Sequence, residues 1–288
     1  MAEAPTVTVV IPCYNGGADL PGAIESVEAQ TWRDFEIVVV DDGSDDPETL
    51  RVLANLGDRV RVVTQTNRGL PAARNAGMRA ARGAFLLPLD CDDRLEPQFL
   101  EATLDVLEIR PTCAFAFTFM RLAGERQGVL RRFYNPFVQL FLNQIPYAML
   151  IRREAWERTG GYDEAMRDGY EDWEFNIRLV NSGFHGFSVP QPLLRYTVRA
   201  GGMLESRASP RHAELWGDIQ RRHPERYRVR ALLGGWLRSR PWPAPYPEFL
   251  LIGLLIAHRL LAPAKFNRLF ARLRGYSASA RADRRRKS

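Results

Sequence analysis

The chain has 288 residues, 45% of them hydrophobic, and a formal net charge of +6. This length suits one large domain, with or without an appendage. Its three cysteines, Cys13, Cys91 and Cys113, lack metal-ligand spacing and an even count. We therefore exclude a cysteine metal site and a disulfide framework, and expect the reduced thiols of a cytosolic protein. Export is not expected, because no cationic leader precedes the first apolar run.

The positive charge is concentrated towards the C-terminus. Residues 1–198 contain 28 acidic and 20 basic side chains, a balance of −8, whereas residues 199–288 contain 6 acidic and 20 basic ones, a balance of +14. This asymmetry predicts an acidic body and a basic C-terminal part that faces an anionic partner. Membrane headgroups and nucleic acid are both candidates on this evidence.

Short apolar segments alternate with helical ones through the first half of the chain. Strands are predicted over 6–12, 35–42, 59–65, 83–90 and 113–120. Helices are predicted over 18–30, 47–56, 70–83 and 96–109. This alternation predicts a parallel α/β sheet with helices on its faces.

The order is looser after Arg121, where residues 121–136 are predicted to form a loop or a small hairpin. A strand, a short helix and a turn follow over 147–164, and a helix spans 170–184. Two strands, 185–190 and 192–198, then close a domain that we place at residues 1–203.

The remaining residues have a different composition. Residues 213–229 predict a helix interrupted at Pro224, and a Pro-rich aromatic linker leads into an apolar helix over Phe249–Leu261. That helix has 13 residues, too few to cross a bilayer, which needs roughly 20. It either lies in the membrane interface or docks on the domain. We assign 204–262 to this helical extension and 263–288 to a basic, disordered tail.

Polar clusters follow three of the predicted strands: "PCYNGG" after the first, "DDGSDD" after the second and "DCDD" after the fourth. Ligands of open α/β sheets bind at the carboxyl ends of the strands, so these clusters mark the expected site. Neither G-x-G-x-x-G after the first strand nor G-x-x-x-x-G-K-[ST] occurs, which excludes an ordinary dinucleotide or ATP site.

The "DCDD" cluster places like charges where a buried strand reaches the surface. Asp90 and Asp92 lie on the same side of an extended segment, and such carboxylates suit Mg²⁺ or Mn²⁺ bridging to a substrate's phosphates. A solvated acidic turn is the alternative.

Three blocks of sequence resemble glycosyltransferase family 2. They are "VTVVIPCYNGGADLPGAIESVEAQTWRDFEIVVVDDGSDD", "NRGLPAARNAGMRAARGAFLLPLDCDD", which ends in a D-x-D signature, and "YEDWEFNIRLVNSGF". The resemblance covers about residues 6–203. It implies an α/β GT-A fold: a Rossmann-like, mostly parallel sheet with flanking helices, here followed by a C-terminal helical extension.

The resemblance also implies a donor site. Tyr14 would lie against the base or ribose, and Asp42, with Asp41 as its rival, would accept a hydrogen bond from a uracil or thymine imide. Turn formation and packing are the ordinary alternatives for these residues. The residues implied to bind the donor are Pro12, Tyr14, Asn15, Asp41, Asp42, Arg74, Asp90 and Arg199.

Asp92 would ligate the Mn²⁺ or Mg²⁺ ion that the resemblance implies, with Asp93 nearby. The sequence departs from the family at Arg199, where a histidine able to touch the metal or diphosphate often stands. Arginine cannot ligate a cation but binds phosphate as a fixed positive charge. The metal would then have fewer protein ligands here, and Arg199 would share the stabilisation of the leaving group.

Asp172 is the implied catalytic base, because inversion at an anomeric carbon requires removal of a proton from the acceptor hydroxyl. The start of a helix favours a carboxylate there. Glu171 would orient the acceptor or Asp172, and Trp173 would stack on a sugar face. The alternative is a helix-capping acidic pair followed by a core tryptophan.

The resemblance therefore implies an inverting, metal-dependent hexosyltransferase that uses a UDP- or dTDP-sugar. Its acceptor would be a glycan or lipid-linked hydroxyl in bacterial cell-surface polysaccharide synthesis. The charge asymmetry and the apolar helix Phe249–Leu261 suggest that the C-terminal part holds this cytoplasmic protein at the inner face of the plasma membrane, in peripheral contact with anionic lipid. A catalytically silent nucleotide-sugar-binding or scaffold module is the alternative. No nucleic-acid partner is expected, because the acidic body would repel phosphates.

Overall fold

The structure is a computed structural model that describes residues 4–199, 208, 210–243, 253, 256, 257, 260–262, 265 and 266. The chain divides into two compact units. The first comprises Met1–Arg167 and Glu171–Ala200, and the second comprises Asp168–Tyr170 and Gly201–Ser288. The domain boundaries predicted from the sequence stay predictions.

The first unit alternates strands and helices as predicted. Its strands are β1 Val7–Cys13, β2 Phe35–Asp41, β3 Val60–Thr64, β4 Phe85–Pro88, β5 Arg94–Leu95, β6 Cys113–Gly124, β7 Gly128–Leu130, β8 Leu150–Arg152 and β9 His185–Val198. Its helices are α1 Leu20–Glu28, α2 Pro47–Ala54, α3 Leu70–Ala80, α4 Phe99–Ile109, α5 Arg153–Thr159 and α6 Glu171–Asn181, with a 3₁₀ turn at Val138–Leu140.

Local sequence explains where several helices begin and end. Proline occupies the first turn of α1, α2 and α3, where its missing N–H would have no partner in any case. Asp46 caps α2 by accepting a hydrogen bond of 2.8 Å from the Thr49 backbone N–H. Gly160 ends α5 in the left-handed conformation that glycine adopts readily.

Nine strands of the described residues form one sheet in the order β3-β2-β1-β4-β8-β6-β9-β5, with β7 paired to β6. The pairs β3-β2, β2-β1, β1-β4 and β6-β9 are parallel, and the shorter ladders that involve β5, β7 and β8 are antiparallel. The sheet is therefore mostly parallel, as predicted. The ambiguous segment after Arg121 forms a hairpin between β6 and β7.

The prediction of two strands at the end of the domain was wrong. Residues 185–198 form a single strand, β9, whose parallel register with β6 shifts between Thr118 and Met120. Pro190 and Pro192 lie in this irregular part of β9. Proline has no N–H to give to the ladder, so the strand bulges around the two prolines and then resumes pairing instead of ending.

The second unit contains α7 His212–Arg222 and α8 Val229–Arg238. The first helix ends just before Pro224, where the sequence predicted an interruption, whereas α8 begins at the last residue of the predicted helix and was not predicted. His212 anchors this unit: its Nδ1 lies 2.9 Å from the Tyr170 hydroxyl, and its ring stacks on Trp216. Most of the predicted linker and of the predicted helix Phe249–Leu261, and nearly all of the tail, lie outside the described residues. None of the helices built from described residues combines the length and apolarity needed to cross a membrane.

Candidate active site

The three polar clusters lie at neighbouring strand ends. β1 pairs in parallel with both β2 and β4, and Cys13 stands opposite Asp41 in the register. The backbone continues this pairing, because the Asp42 N–H donates to the Cys13 carbonyl at 2.9 Å and the Leu89 N–H to the Val10 carbonyl at 2.9 Å. The sheet thus brings the clusters together at its carboxyl edge, where open α/β proteins bind ligands.

Of the three donor residues predicted around the end of β1, Tyr14 and Asn15 are exposed, and Tyr14 has 51% of its surface exposed. Pro12 is buried inside β1. The Asn15 side chain joins two loops: its Nδ2 donates to Asp45 Oδ1 at 2.7 Å, and its Oδ1 accepts from the Asp45 and Asp46 backbones. Asn15 therefore shapes the crevice with its amide already engaged, and Tyr14 is the residue free to meet a base.

The two aspartates after β2 are both buried, but they differ in how many of their oxygens are occupied. Asp42 accepts from the Gln65 amide at 2.6 Å and from the Arg68 and Gly69 backbones at 2.9 and 2.8 Å, which uses both oxygens. Asp41 accepts one such bond from a described residue, from the Ser44 N–H at 2.9 Å. The geometry thus favours Asp41 over Asp42, the residue preferred from the sequence, as the acceptor for a base imide.

Arg74 is a buried connection between two carboxylates. It is 1% exposed, its Nη1 donates to Glu171 Oε1 at 2.6 Å, and its Nη2 donates to the Asp90 oxygens at 2.7 and 3.0 Å. Burial opposes its charge, but Asp90 and Glu171 outweigh this effect and raise the pKa of Arg74. Both terminal nitrogens hold protein carboxylates here, and the prediction that Arg74 reaches the nucleotide stays a prediction.

The "DCDD" carboxylates separate into an open pair and a buried third. The side chains of Asp90 and Asp92 are 24% and 37% exposed, whereas Asp93 is 1% exposed. Asp93 accepts hydrogen bonds from the Tyr147 hydroxyl and, at 2.7 Å, from the Thr197 N–H. Burial, reinforced by Asp90, raises the pKa of both Asp92 and Asp93. Asp93 is therefore structural, and the exposed charge belongs to Asp90 and Asp92.

Arg199 lies beside the open pair. Its Nη2 is 2.5 Å from Asp19 Oδ1, its Nε is 3.9 Å from Asp92 Oδ2, and 47% of its side chain is exposed. A guanidinium here partly neutralises Asp92 and still has surface available for an anion.

Asp172 lies in the first turn of α6 and is half-buried. Its Oδ2 accepts from Asn143 Nδ2 at 2.8 Å and its Oδ1 from the Trp173 N–H at 2.7 Å. Burial and then the adjacent Glu171 charge raise the pKa of Asp172 to about 7, against the lowering effects of Arg74 and these two donors. A carboxylate with a pKa near neutrality is suited to accept a proton in catalysis.

Both neighbours of Asp172 in the sequence are buried. Glu171 is 5% exposed and bound to Arg74, so it reaches Asp90 through that arginine. Trp173 is fully buried, and its Nε1 donates to the Gln139 carbonyl at 2.7 Å. The prediction that Trp173 stacks on a sugar was wrong, because no face of its ring is open; the alternative of a core tryptophan describes it correctly.

Sequence reasoning missed two residues that shape the site, Asn143 and Tyr147. Asn143 holds Asp172 and itself accepts from Gln139 Nε2 at 2.8 Å. Tyr147 holds Asp93 and accepts from the Asp90 N–H at 3.3 Å. Polar side chains inside the apolar run "VQLFLNQIPYAML" were the available signal, because buried polar groups require partners.

Residues 8–166 match the model of the family described as "Glycosyl transferase family 2". The chain belongs to glycosyltransferase family 2. It is 34% identical over 201 residues to a "PGL/p-HBAD biosynthesis glycosyltransferase" of Mycobacterium bovis, a match that covers 67% of this chain and 74% of that protein. It is 31% identical over 194 residues to the chondroitin synthase of Escherichia coli, covering 64% of this chain but only 28% of the synthase.

The fold of this family 2 chain is similar to that of TarS from S. aureus in complex with UDP-GlcNAc. The TM-score is 0.63 at 19% sequence identity, and the match covers 88% of this chain and 70% of the solved TarS fragment, residues 1–349. The chain therefore has the GT-A type of α/β architecture that the sequence resemblance implied.

Proposed function

We propose that this protein transfers a sugar from a nucleotide diphosphate donor to a hydroxyl group of a glycan or lipid-linked acceptor, with inversion at the anomeric carbon. The observation that carries the proposal is the connected set of charges at the sheet edge. Asp172, with a pKa near neutrality, lies next to Glu171, and Arg74 ties Glu171 to Asp90 of the D-x-D segment. These bonds connect the proposed proton acceptor to the proposed donor-binding carboxylates.

These positions support the following reaction. The acceptor oxygen would attack the anomeric carbon while the bond from that carbon to the diphosphate oxygen breaks, and the nucleoside diphosphate leaves with the electron pair. Asp172 would take the proton from the attacking hydroxyl. Asn143 and the Trp173 N–H keep the carboxylate in one orientation, which limits the loss of freedom needed to reach the reactive geometry.

The donor that we favour is a UDP-sugar, with a dTDP-sugar as the second choice. Tyr14 offers an exposed ring for a base, and Asp41 offers a carboxylate oxygen for an imide N–H. The similar TarS fold has been solved with UDP and with UDP-GlcNAc, which supports a uridine nucleotide. Arg199 would contact the diphosphate, since its guanidinium is 47% exposed beside Asp92.

A divalent cation, Mn²⁺ or Mg²⁺, fits the open carboxylates. Among the described residues no group of three or more His, Cys, Asp or Glu could hold a metal by itself. Asp92, with Asp90 beside it, offers the one or two carboxylates that these ions use when substrate phosphates supply further ligands. Bound there, the ion would stabilise the charge of the departing diphosphate.

The proposed setting is bacterial cell-surface polysaccharide synthesis at the cytoplasmic face of the plasma membrane. The similar proteins include the E. coli chondroitin synthase and the mycobacterial PGL/p-HBAD glycosyltransferase, whose names denote glycan and glycolipid synthesis. The +14 balance of residues 199–288 favours peripheral contact with anionic lipid, where lipid-linked acceptors reside.

The proposal is tested by assaying purified protein against a panel of nucleotide sugars, with and without Mn²⁺ or Mg²⁺, and by NMR of the anomeric configuration of the product. We expect metal-dependent turnover, and a loss of at least about 100-fold in Asp172→Asn, because a positioned base contributes that much. Asp105→Asn, on the exposed face of α4, is the matched control. Donor binding without turnover in the wild type would instead establish the silent nucleotide-sugar-binding module.

A further inference from the structure

Helix α8, in the second unit, exposes a stripe of apolar side chains. Val229, Leu233 and Leu237 are 42%, 44% and 54% exposed, and Leu232 is the buried residue of the helix. Residues four positions apart lie above one another on a helix, so these three form one continuous face. A helix of a folded domain normally buries its apolar face, and a contiguous exposed one marks a binding surface.

Several arginines lie on and beside this helix. Residues 226–243 contain five arginines and no aspartate or glutamate. Arg228, Arg230 and Arg238 form no ion pair with a described residue, whereas Arg211 and Arg222 around α7 pair with Asp168, Glu214 and Asp218. The α8 face therefore combines exposed aliphatic groups with uncompensated positive charge, the composition of a helix that lies in the interface of a bilayer.

We propose that this face of α8 binds an anionic lipid bilayer, with the helix in the plane of the membrane. The helix has 10 residues, too few to cross a bilayer, so it would lie in the membrane interface. Val229, Leu233 and Leu237 would enter the headgroup and acyl boundary, and the arginines would contact lipid phosphates. Trp236, over whose ring the Arg240 guanidinium lies at 5.2 Å, suits the same depth, where amphipathic aromatic side chains are favoured.

Charge and surface chemistry favour lipid over two other occupants. A second copy bound through the same face would set arginines against arginines, and like charges across an interface are strongly unfavourable. Nucleic acid would engage the arginines but would leave the leucines exposed to water. The inference deepens the proposed contact with anionic membrane and rests on that part of the proposed function, independently of the donor and the chemistry.

The experiment is flotation of the full chain with vesicles of phosphatidylglycerol and phosphatidylcholine, and with vesicles of phosphatidylcholine alone. We expect the wild type to bind the anionic vesicles and to be released by salt. The double variant Leu233→Gln, Leu237→Gln should lose at least about tenfold in partitioning, because two leucines no longer enter the bilayer. The double variant Arg230→Gln, Arg238→Gln should lose at least about tenfold by weakening attraction to anionic headgroups.

Matched controls lie on the first unit. Ile109→Gln changes a side chain that is 79% exposed, and Arg158→Gln changes a solvent-exposed arginine of α5; both should partition like the wild type. Equal partitioning of the leucine variant and the wild type overturns the inference, as does loss of a dimer on sedimentation in that variant with unchanged lipid binding. Donor turnover, measured on the same preparations, reports separately on the proposed glycosyl transfer and should be unaffected in all four variants.

Discussion

The chemistry at the scale of single residues depends on how Asp172 is held. Its carboxylate has opposing influences around it: burial and Glu171 raise its pKa, while Arg74, the Trp173 N–H and the Asn143 amide lower it. Asn143 is the most readily varied of these, because its side chain is separate from the Arg74–Asp90 connection. Its Nδ2 donates to Asp172 at 2.8 Å, and its Oδ1 accepts from Gln139.

Asn143→Ala should therefore shift the pH dependence of transfer. The base works when ionised, so wild-type kcat/KM should fall below an apparent pKa of about 7. Removal of the Asn143 donor destabilises the ionised form, so this acidic limb should move upward by roughly one to two pH units, since a hydrogen bond to a charged group is worth about 1.5–3 kcal/mol. The measurement is kcat/KM across pH for the wild type and the variant.

Asn55→Ala is the control for this prediction, because Asn55 is an exposed asparagine whose amide donates only to the local Arg51 carbonyl. It should leave the limb in place. A uniform loss of rate in Asn143→Ala, with an unmoved limb, would show that Asn143 supports the loop and does not tune Asp172.

The sequence allowed the aspartates of the site to be recognised, but it did not allow the contacts of the surrounding side chains to be predicted. Asp90, Asp92 and Asp172 were recognised from the order of their motifs, and the structure places them around one connected set of charges. Arg74 and Trp173 were expected to touch ligands, yet both are buried. Burial depends on which distant segments pack over a residue, and here the loop before β8 is one of them. The spacing of motifs along the chain does not show which segments these are.

At the scale of elements, α3 carries Arg74 to the site because the helix lies close against β1 and β2. Gly77 makes this possible: a Cβ added there would lie 2.2 Å from Val10 Cγ1 and 2.8 Å from Val40 Cγ2. These neighbours are buried strand side chains with little room to move.

Gly77→Ala should therefore lower the free energy of unfolding by about 1–3 kcal/mol, the usual cost of overpacking, despite the better helix propensity of alanine. Thermal unfolding measures this, at roughly 2–4 °C per kcal/mol for a domain of this size. Gly234→Ala in α8 is the control, since the nearest atom to its Cβ is the end of the flexible Arg238 side chain at 3.1 Å. It should be neutral or slightly stabilising.

Strands and helices were predictable where the hydrophobic pattern of the segment itself indicated them. They were harder to predict where pairing with a distant strand determines whether a strand forms. The buried runs of β1, β2 and β4 and the helical spacing between them identified the parallel half of the sheet. The two-residue β5 and the continuous β9 were not predicted, because each exists through pairing with a distant strand. Two strands were predicted on either side of the prolines, but pairing with β6 on both sides of them makes β9 one strand.

For the whole molecule, the crowded carboxylates of the acidic site destabilise the folded state when they are ionised. Activity and stability should therefore depend on pH in opposite directions. Asp92, Asp93 and Asp172 all have a raised pKa, so the folded state binds protons that the unfolded state would release. The free energy of unfolding then increases as pH falls through the folded pKa values, until the unfolded carboxyls also protonate. Glu36 acts in the opposite sense: burial raises its pKa, but hydrogen bonds from Thr8 and Arg82 prevail and lower it, so its stabilisation is lost in stronger acid.

The expected outcome is a stability maximum on the acidic side of neutrality, while transfer increases towards alkaline pH because it requires ionised Asp172. Between about pH 8 and about pH 5, the free energy of unfolding should rise by about 2 kcal/mol. Asp172→Asn should flatten this slope and raise the melting temperature at pH 8, because it removes the half-buried carboxylate adjacent to buried Glu171. The same variant should lower transfer by at least about 100-fold. Asp105→Asn should keep the wild-type slope, and an unchanged slope in Asp172→Asn would show that the charge on Asp172 is already compensated in the folded protein.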